Sequence, residues 1–141
     1  MQFLIDFSND NPVFEQTSII REVVFCEEQK YPKEEEFDEY DSSSFHVIGF
    51  YNDQPVACGR ILKKQDDWYL GRIAVLKEFR NKGLGLELVN YLVEFANSKL
   101  EAKHIYLNAQ ETAVGLYEKA GFKISSEPFY DGAIKHFKMV R

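Results

Sequence analysis

Sulfur is scarce in this chain. It carries two cysteines, Cys26 and Cys58, with no Cys-x-x-Cys spacing. That excludes a disulfide scaffold and points to a reduced, cytoplasmic protein. The three histidines, His46, His104 and His136, are scattered, so no metal site is expected. No apolar run reaches the length of a membrane span, and the N-terminus lacks a signal-peptide pattern, so no membrane partner is expected. No basic patch stands out, which makes nucleic acid a poor partner. Repeats and low-complexity linkers are absent, so residues 1–141 read as a single domain. What is present is apolar: 45% of residues are hydrophobic and 15% aromatic, enough for a core.

Charge is concentrated. The formal net charge is −6, and Glu27 to Asp41 holds eight acids (Glu27, Glu28, Glu34, Glu35, Glu36, Asp38, Glu39, Asp41) against Lys30 and Lys33. That segment accounts for the whole imbalance. It reads either as a solvated acidic loop or as an acceptor-side wall whose field attracts a cation. Arg21 and Arg60 are placed to pair with it, or to read a phosphate.

The pattern alternates strands and helices. Gln2 to Phe7 reads as a first strand, Pro12 to Gln29 as a helix, and Glu27 to Ser44 as irregular. Phe45 to Tyr51 and Val56 to Lys64 form strands around a turn at Asn52-Asp53-Gln54-Pro55. Trp68 to Val75 is a third strand of this group, aromatic and β-branched. Leu84, Leu88, Leu92, Phe95 and Ala96 recur at helical spacing. Lys103 to Ala109 is a strand, and Glu111 to Ala120 a short helix ended by Gly121. Lys123 to Ser126 and Ala133 to Val140 close an antiparallel pair around Asp131-Gly132.

Between a strand and a helix lies Arg80-Asn81-Lys82-Gly83-Leu84-Gly85. A helix start offers unpaired N–H groups and partial positive charge. Two glycines clear the approach and two cations add charge, so the segment suits a pyrophosphate or another anion. It is not a dinucleotide loop, because Leu88 stands where a third glycine belongs, nor a Walker loop, because Leu86 and Glu87 follow Gly85.

The Arg-x-x-Gly-x-Gly arrangement resembles the acyl-CoA loop of the GNAT (GCN5-related) N-acetyltransferases. Ala113, Leu116, Tyr117, Gly121 and Phe122 match a second motif of that family, with Gln110 where its asparagine usually stands. At both ends the chain is similar to the small ElaA-like branch. Arg21-x-x-Val24-Phe25-x-x-Glu28-Gln29 carries the likeness at the start, and Asp131-Gly132-x-x-Lys135-His136-x-x-Met139 at the end.

The resemblance implies an α/β fold: a mixed, mostly antiparallel central sheet with helices on both faces. It implies transfer of an acetyl group from acetyl-CoA, as cosubstrate, to a primary amine, by direct attack with both substrates bound. A small-molecule acceptor is favoured, and the family allows a homodimer. The pyrophosphate would bind N–H groups from Arg80, Asn81, Lys82, Gly83, Leu84 and Gly85, and Gln110 is a further cofactor-binding candidate. The pantetheine arm would pair with the backbone of Ile73, Ala74 and Val75. The Val75 N–H would polarise the thioester carbonyl, and Tyr117 would protonate the leaving thiolate. Glu28, Asp41, His46 and His136 are all candidates for the base, with Glu28 first among the carboxylates. Two other classes stay open at this point: a non-catalytic acyl-CoA-binding module, and an interaction protein whose acidic segment binds a basic partner.

Overall fold

A computed structural model describes the whole chain, Met1–Arg141. Eight strands form one sheet: β1 (Gln2–Phe7), β2 (Ser44–Tyr51), β3 (Gln54–Lys64), β4 (Asp67–Val75), β5 (Ile105–Gln110), β6 (Lys123–Ile124), β7 (Phe129–Asp131) and β8 (Ile134–Val140). Their order is β1-β2-β3-β4-β5-β8-β6, with β7 paired to β8. Every pairing is antiparallel except β4 with β5. Helices α1 (Pro12–Arg21), α2 (Lys33–Glu36), α3 (Leu84–Ser98) and α4 (Val114–Lys119) complete the fold.

Alternation along β2 and β3 decides which helix covers which face. Val47, Ala57 and Ile61 join Leu88, Leu92 and Ala96 of α3 in the larger core cluster. Their neighbours in sequence, Ile48 and Cys58, join Ile20 of α1, Val24 and Phe25 in a second cluster. Helices therefore cover both faces. On the α3 side, Gly59 lies so close to Leu92 that an added Cβ would stand 2.8 Å from Leu92 Cδ1, so the helix seats directly on the strand.

Two expectations need correction. The helix from Pro12 does not run unchanged to Gln29: at Glu22–Glu28 it widens into π-helical turns, as the Gln29 N–H to Val24 carbonyl bond shows. The acidic segment is not irregular either. It holds α2 and a 3-10 turn at Glu39–Ser43, started by Asp38, whose carboxylate accepts from the Tyr40 N–H.

Candidate active site

The site begins where two parallel strands part. The β4–β5 ladder runs from Trp68↔Ile105 to Leu70↔Leu107 and goes no further. At that point β4 bulges: Cys58 opposes Ala74 and Arg60 opposes Gly71, so β4 carries one extra residue, and Arg72 there has φ +52°. The bulge turns Ile73 to Val75 away from β5. The Leu76 N–H bonds the Val56 carbonyl of β3. By alternation the N–H and carbonyl of Val75 face the opposite edge, toward the cleft. Arg80 Nε donates to that carbonyl at 2.9 Å, which confirms the orientation.

The cleft opens into a groove of about 550 Å³ lined by Ile73, Ala74, Val75, Arg80, Asn81, Gly83, Leu84 and Gly85, among others. Gly83 caps α3 with φ +78°, a left-handed conformation that only glycine adopts without strain. Gly85 serves differently. A Cβ there would meet Leu116 at 3.4 Å and Val75 at 3.9 Å. Both side chains wall the groove, so the missing side chain is what keeps the groove open. A groove that reaches the start of a 15-residue helix can offer that helix's free N–H groups to a phosphorylated arm. Lys82 does not line it. Arg80 is fixed by a two-bond ion pair with Glu28, at 2.7 and 2.8 Å.

A second cavity, of about 600 Å³, lies on the other side of the parted strands. Its walls include Phe25, Tyr31, Tyr69, Phe129, Asp131 and His136. Tyr31 donates to the Asp131 carbonyl at 3.1 Å, tying the segment before α2 to the β7–β8 hairpin across this cavity. Four residues line both spaces: Gln29, Ile73, Ala113 and Tyr117. Tyr117 thus stands at the junction, and burial holds its hydroxyl well above the usual phenol range. It keeps its proton at neutral pH.

The base candidates separate by position. His136 lines the second cavity, stacked on Phe129 with ring centroids 5.6 Å apart. Its Nδ1 donates to the Ile134 carbonyl at 2.9 Å, so the neutral ring keeps a lone pair on Nε2. His46 lines neither space. It is buried against Phe14, with Nε2 on the Asp41 carbonyl at 2.9 Å, so it is a packed histidine and no base for this site. Glu28 is the partner of Arg80, whose hydrogen bond lowers its carboxyl from the usual range, the wrong direction for a base. Asp41 is buried and bound to Arg21 and Arg60. Gln110, expected among the cofactor-binding residues, lines the second cavity rather than the groove and bonds Gln29.

The acidic segment is not a free loop: Glu36, Asp38 and Asp41 are held by arginines. Arg21 bonds Glu36 at 2.9 Å and Asp41 at 2.8 Å; Arg60 bonds Asp38 and Asp41; Arg72 bonds Glu36 and Asp38. Three arginines from α1, β3 and β4 hold three acids in place, and so hold the segment that walls the second cavity. Arg21 and Arg60 are thereby ion-pair partners rather than phosphate readers. Arg72, Tyr31 and Asp131 were not expected at the site. A glycine followed by an arginine, Gly71-Arg72, in the middle of the strand is the signal that points to the bulge.

His46 makes stability depend on pH. Burial is the main cause that depresses its folded pKa, with the Arg21 and Arg60 charges adding to it. Its contribution is therefore present above the unfolded value of about 6.5 and lost as pH falls below it, because only the unfolded chain takes the proton readily. His46→Gln is expected to flatten the fall of melting temperature between about pH 6.5 and 5 relative to the parent. Parallel curves for the two proteins would remove His46 from the account.

The comparisons agree with this geometry. The model of the Acetyltransferase (GNAT) family matches residues 13–122. YjcF, an uncharacterised N-acetyltransferase of Bacillus subtilis, is 38% identical over 123 residues, 86% of this chain and 87% of that protein. Protein ElaA of Escherichia coli is 31% identical over 126 residues, 86% of this chain and 82% of that protein. Its crystal structure superposes with a TM-score of 0.87 over 100% of this chain and 99% of that one, at 27% identity. An aminoglycoside 6′-N-acetyltransferase complexed with coenzyme A shares the fold, with a TM-score of 0.75 over 100% of this chain and 96% of that one at 21% identity. The matched span takes in both the parted strands and the loop at the start of α3, and the chain belongs to the GNAT family of acetyltransferases.

Proposed function

We propose that the chain transfers an acetyl group from acetyl-CoA to the primary amine of a small molecule held in the second cavity. The observation that carries this reading is Tyr117, which lines both spaces where they meet. The coenzyme thioester supplies the activated acetyl group. The start of α3, with Gly83, Leu84 and Gly85, holds the phosphates by backbone N–H groups. Arg80 acts by fixing Val75, whose N–H is oriented toward the cleft and stabilises negative charge on the carbonyl oxygen. His136 takes the proton of the amine on Nε2, and Tyr117 gives its proton to the departing sulfur. The amine attacks directly with both substrates bound, because the cavities meet at one point.

A small acceptor is favoured by the dimensions. A volume of about 600 Å³ lies in the range of small-ligand sites, and the Tyr31–Asp131 contact crosses the cavity where a polypeptide would need an open trough. The binding half of the reading is tested by titrating acetyl-CoA into the protein and into Gly85→Leu. The variant is expected to lose about tenfold or more in affinity, since the new side chain occupies the groove, with its melting temperature retained because leucine suits a helix. Equal affinity would place the coenzyme elsewhere. Gly83→Val is a poorer probe, because at φ +78° it strains the backbone as well.

A further inference from the structure

Gln29 and Gln110 face each other across the cleft and exchange two hydrogen bonds. Gln110 Nε2 donates to Gln29 Oε1 at 2.8 Å, and Gln29 Nε2 donates to Gln110 Oε1 at 3.3 Å. Each amide thus uses one donor and one acceptor on the other. The pair joins distant parts of the chain. Gln29 ends the π-helical turns, directly after Glu28, the partner of Arg80. Gln110 ends β5, where it stands opposite His136 of β8. Gln29 lines both spaces and Gln110 lines the second. The bridge therefore lies between the groove and the acceptor cavity, at the level of Tyr117 and Ile73.

We propose that this amide pair is a gate between the two halves of the site, resting on the acetyl-CoA reading above. Paired, it separates the groove from the acceptor cavity. An acetyl group that reaches the junction parts it. The freed Gln110 oxygen then lies beside His136 and accepts an N–H of the acceptor amine, orienting its lone pair toward the carbonyl. Gln110 and Gln29 are positioning residues on this account: no bond is made or broken on either. The bare thiol of coenzyme A stops short of the junction and leaves the pair closed.

The experiment is calorimetric titration of acetyl-CoA and of coenzyme A into the parent, Gln29→Ala, Gln110→Ala and the double variant. The acetyl group parts the bridge in the parent but has no bridge to part in the variants. Both single variants are therefore expected to bind acetyl-CoA about 3–10-fold tighter relative to coenzyme A than the parent does. The double variant should gain no more than either single change, since one bridge is removed in each case. Gln29→Asn, one methylene shorter, keeps an amide while breaking the reciprocal geometry, and replaces the alanine form if that form does not fold. A ratio unchanged or lower in the single variants overturns the gate, as does a double variant that adds the two effects. Failure of the parent to bind either ligand overturns the acetyl-CoA reading itself, and the gate with it.

Discussion

Tyr117→Phe is expected to lower kcat by about 10²–10⁴-fold while acetyl-CoA affinity stays within about twofold. Phenylalanine fills the same volume, and the edge-on packing against Phe122, with centroids 6.2 Å apart, needs no hydroxyl. Only the proton is lost. The magnitude is the usual contribution of a positioned general acid, and a thiolate leaving group favours the lower end of it. The measurement is thiol release under saturating acetyl-CoA with whichever amine a panel screen identifies, alongside calorimetric titration of both proteins. A variant that keeps the parent's rate would assign the proton to water or to another group. One that loses rate and affinity together would make Tyr117 a packing residue of α4. The pH profile adds a second check. Because burial raises the tyrosine, its deprotonation should not limit the rate below the ordinary phenol range.

Arg21→Ala is expected to cost about 3–5 kcal/mol of stability. The guanidinium is 1% exposed and bonds the Glu36 carboxylate, the Glu36 carbonyl and both oxygens of Asp41. It also lies over the Phe37 ring, 4.7 Å from the centroid. Alanine would leave two carboxylates, 5% and 2% exposed, short of their central counter-charge. Urea unfolding measures this as a lower midpoint at unchanged slope. A loss below about 1 kcal/mol would mean that the network behaves like a surface ion pair. Activity should fall too, since the segment released is the wall of the acceptor cavity. The change lies on the far side of the sheet from α3, so coenzyme affinity should fall less than acceptor turnover.

The half of the site proposed for the coenzyme could be read in the chain because its residues are local. Gly83 and Gly85 sit two residues apart at the start of a helix whose apolar stripe, Leu84 to Ala96, is plain in the sequence. The same holds for Ile73 to Val75, consecutive on one strand. The half proposed for the acceptor could be read only in part: His136 stood among the candidates, but nothing local joins it to residues as distant as Gln29. Glu28 and His46 show the difficulty. Each has the right functional group, but Glu28 is taken by Arg80, 52 positions away, and His46 is sealed under α1. No local pattern reports either fact. Gln110 illustrates it again: its amide was visible, but its partner lies 81 positions earlier.

Sequence by itself determined the alternation of strands and helices, the glycine loop before α3 and the family. Each depends on spacing over a few residues, where backbone propensity and side-chain periodicity act directly. Tertiary structure alone decided the ion pairing of the acidic segment, the parting of β4 from β5 and the surroundings of the four candidate bases. Those depend on which groups desolvate one another and on which edge of a bulged strand faces the cleft. Both are properties of the packed chain, because Coulomb and solvation energies follow distance in space and not position in the sequence.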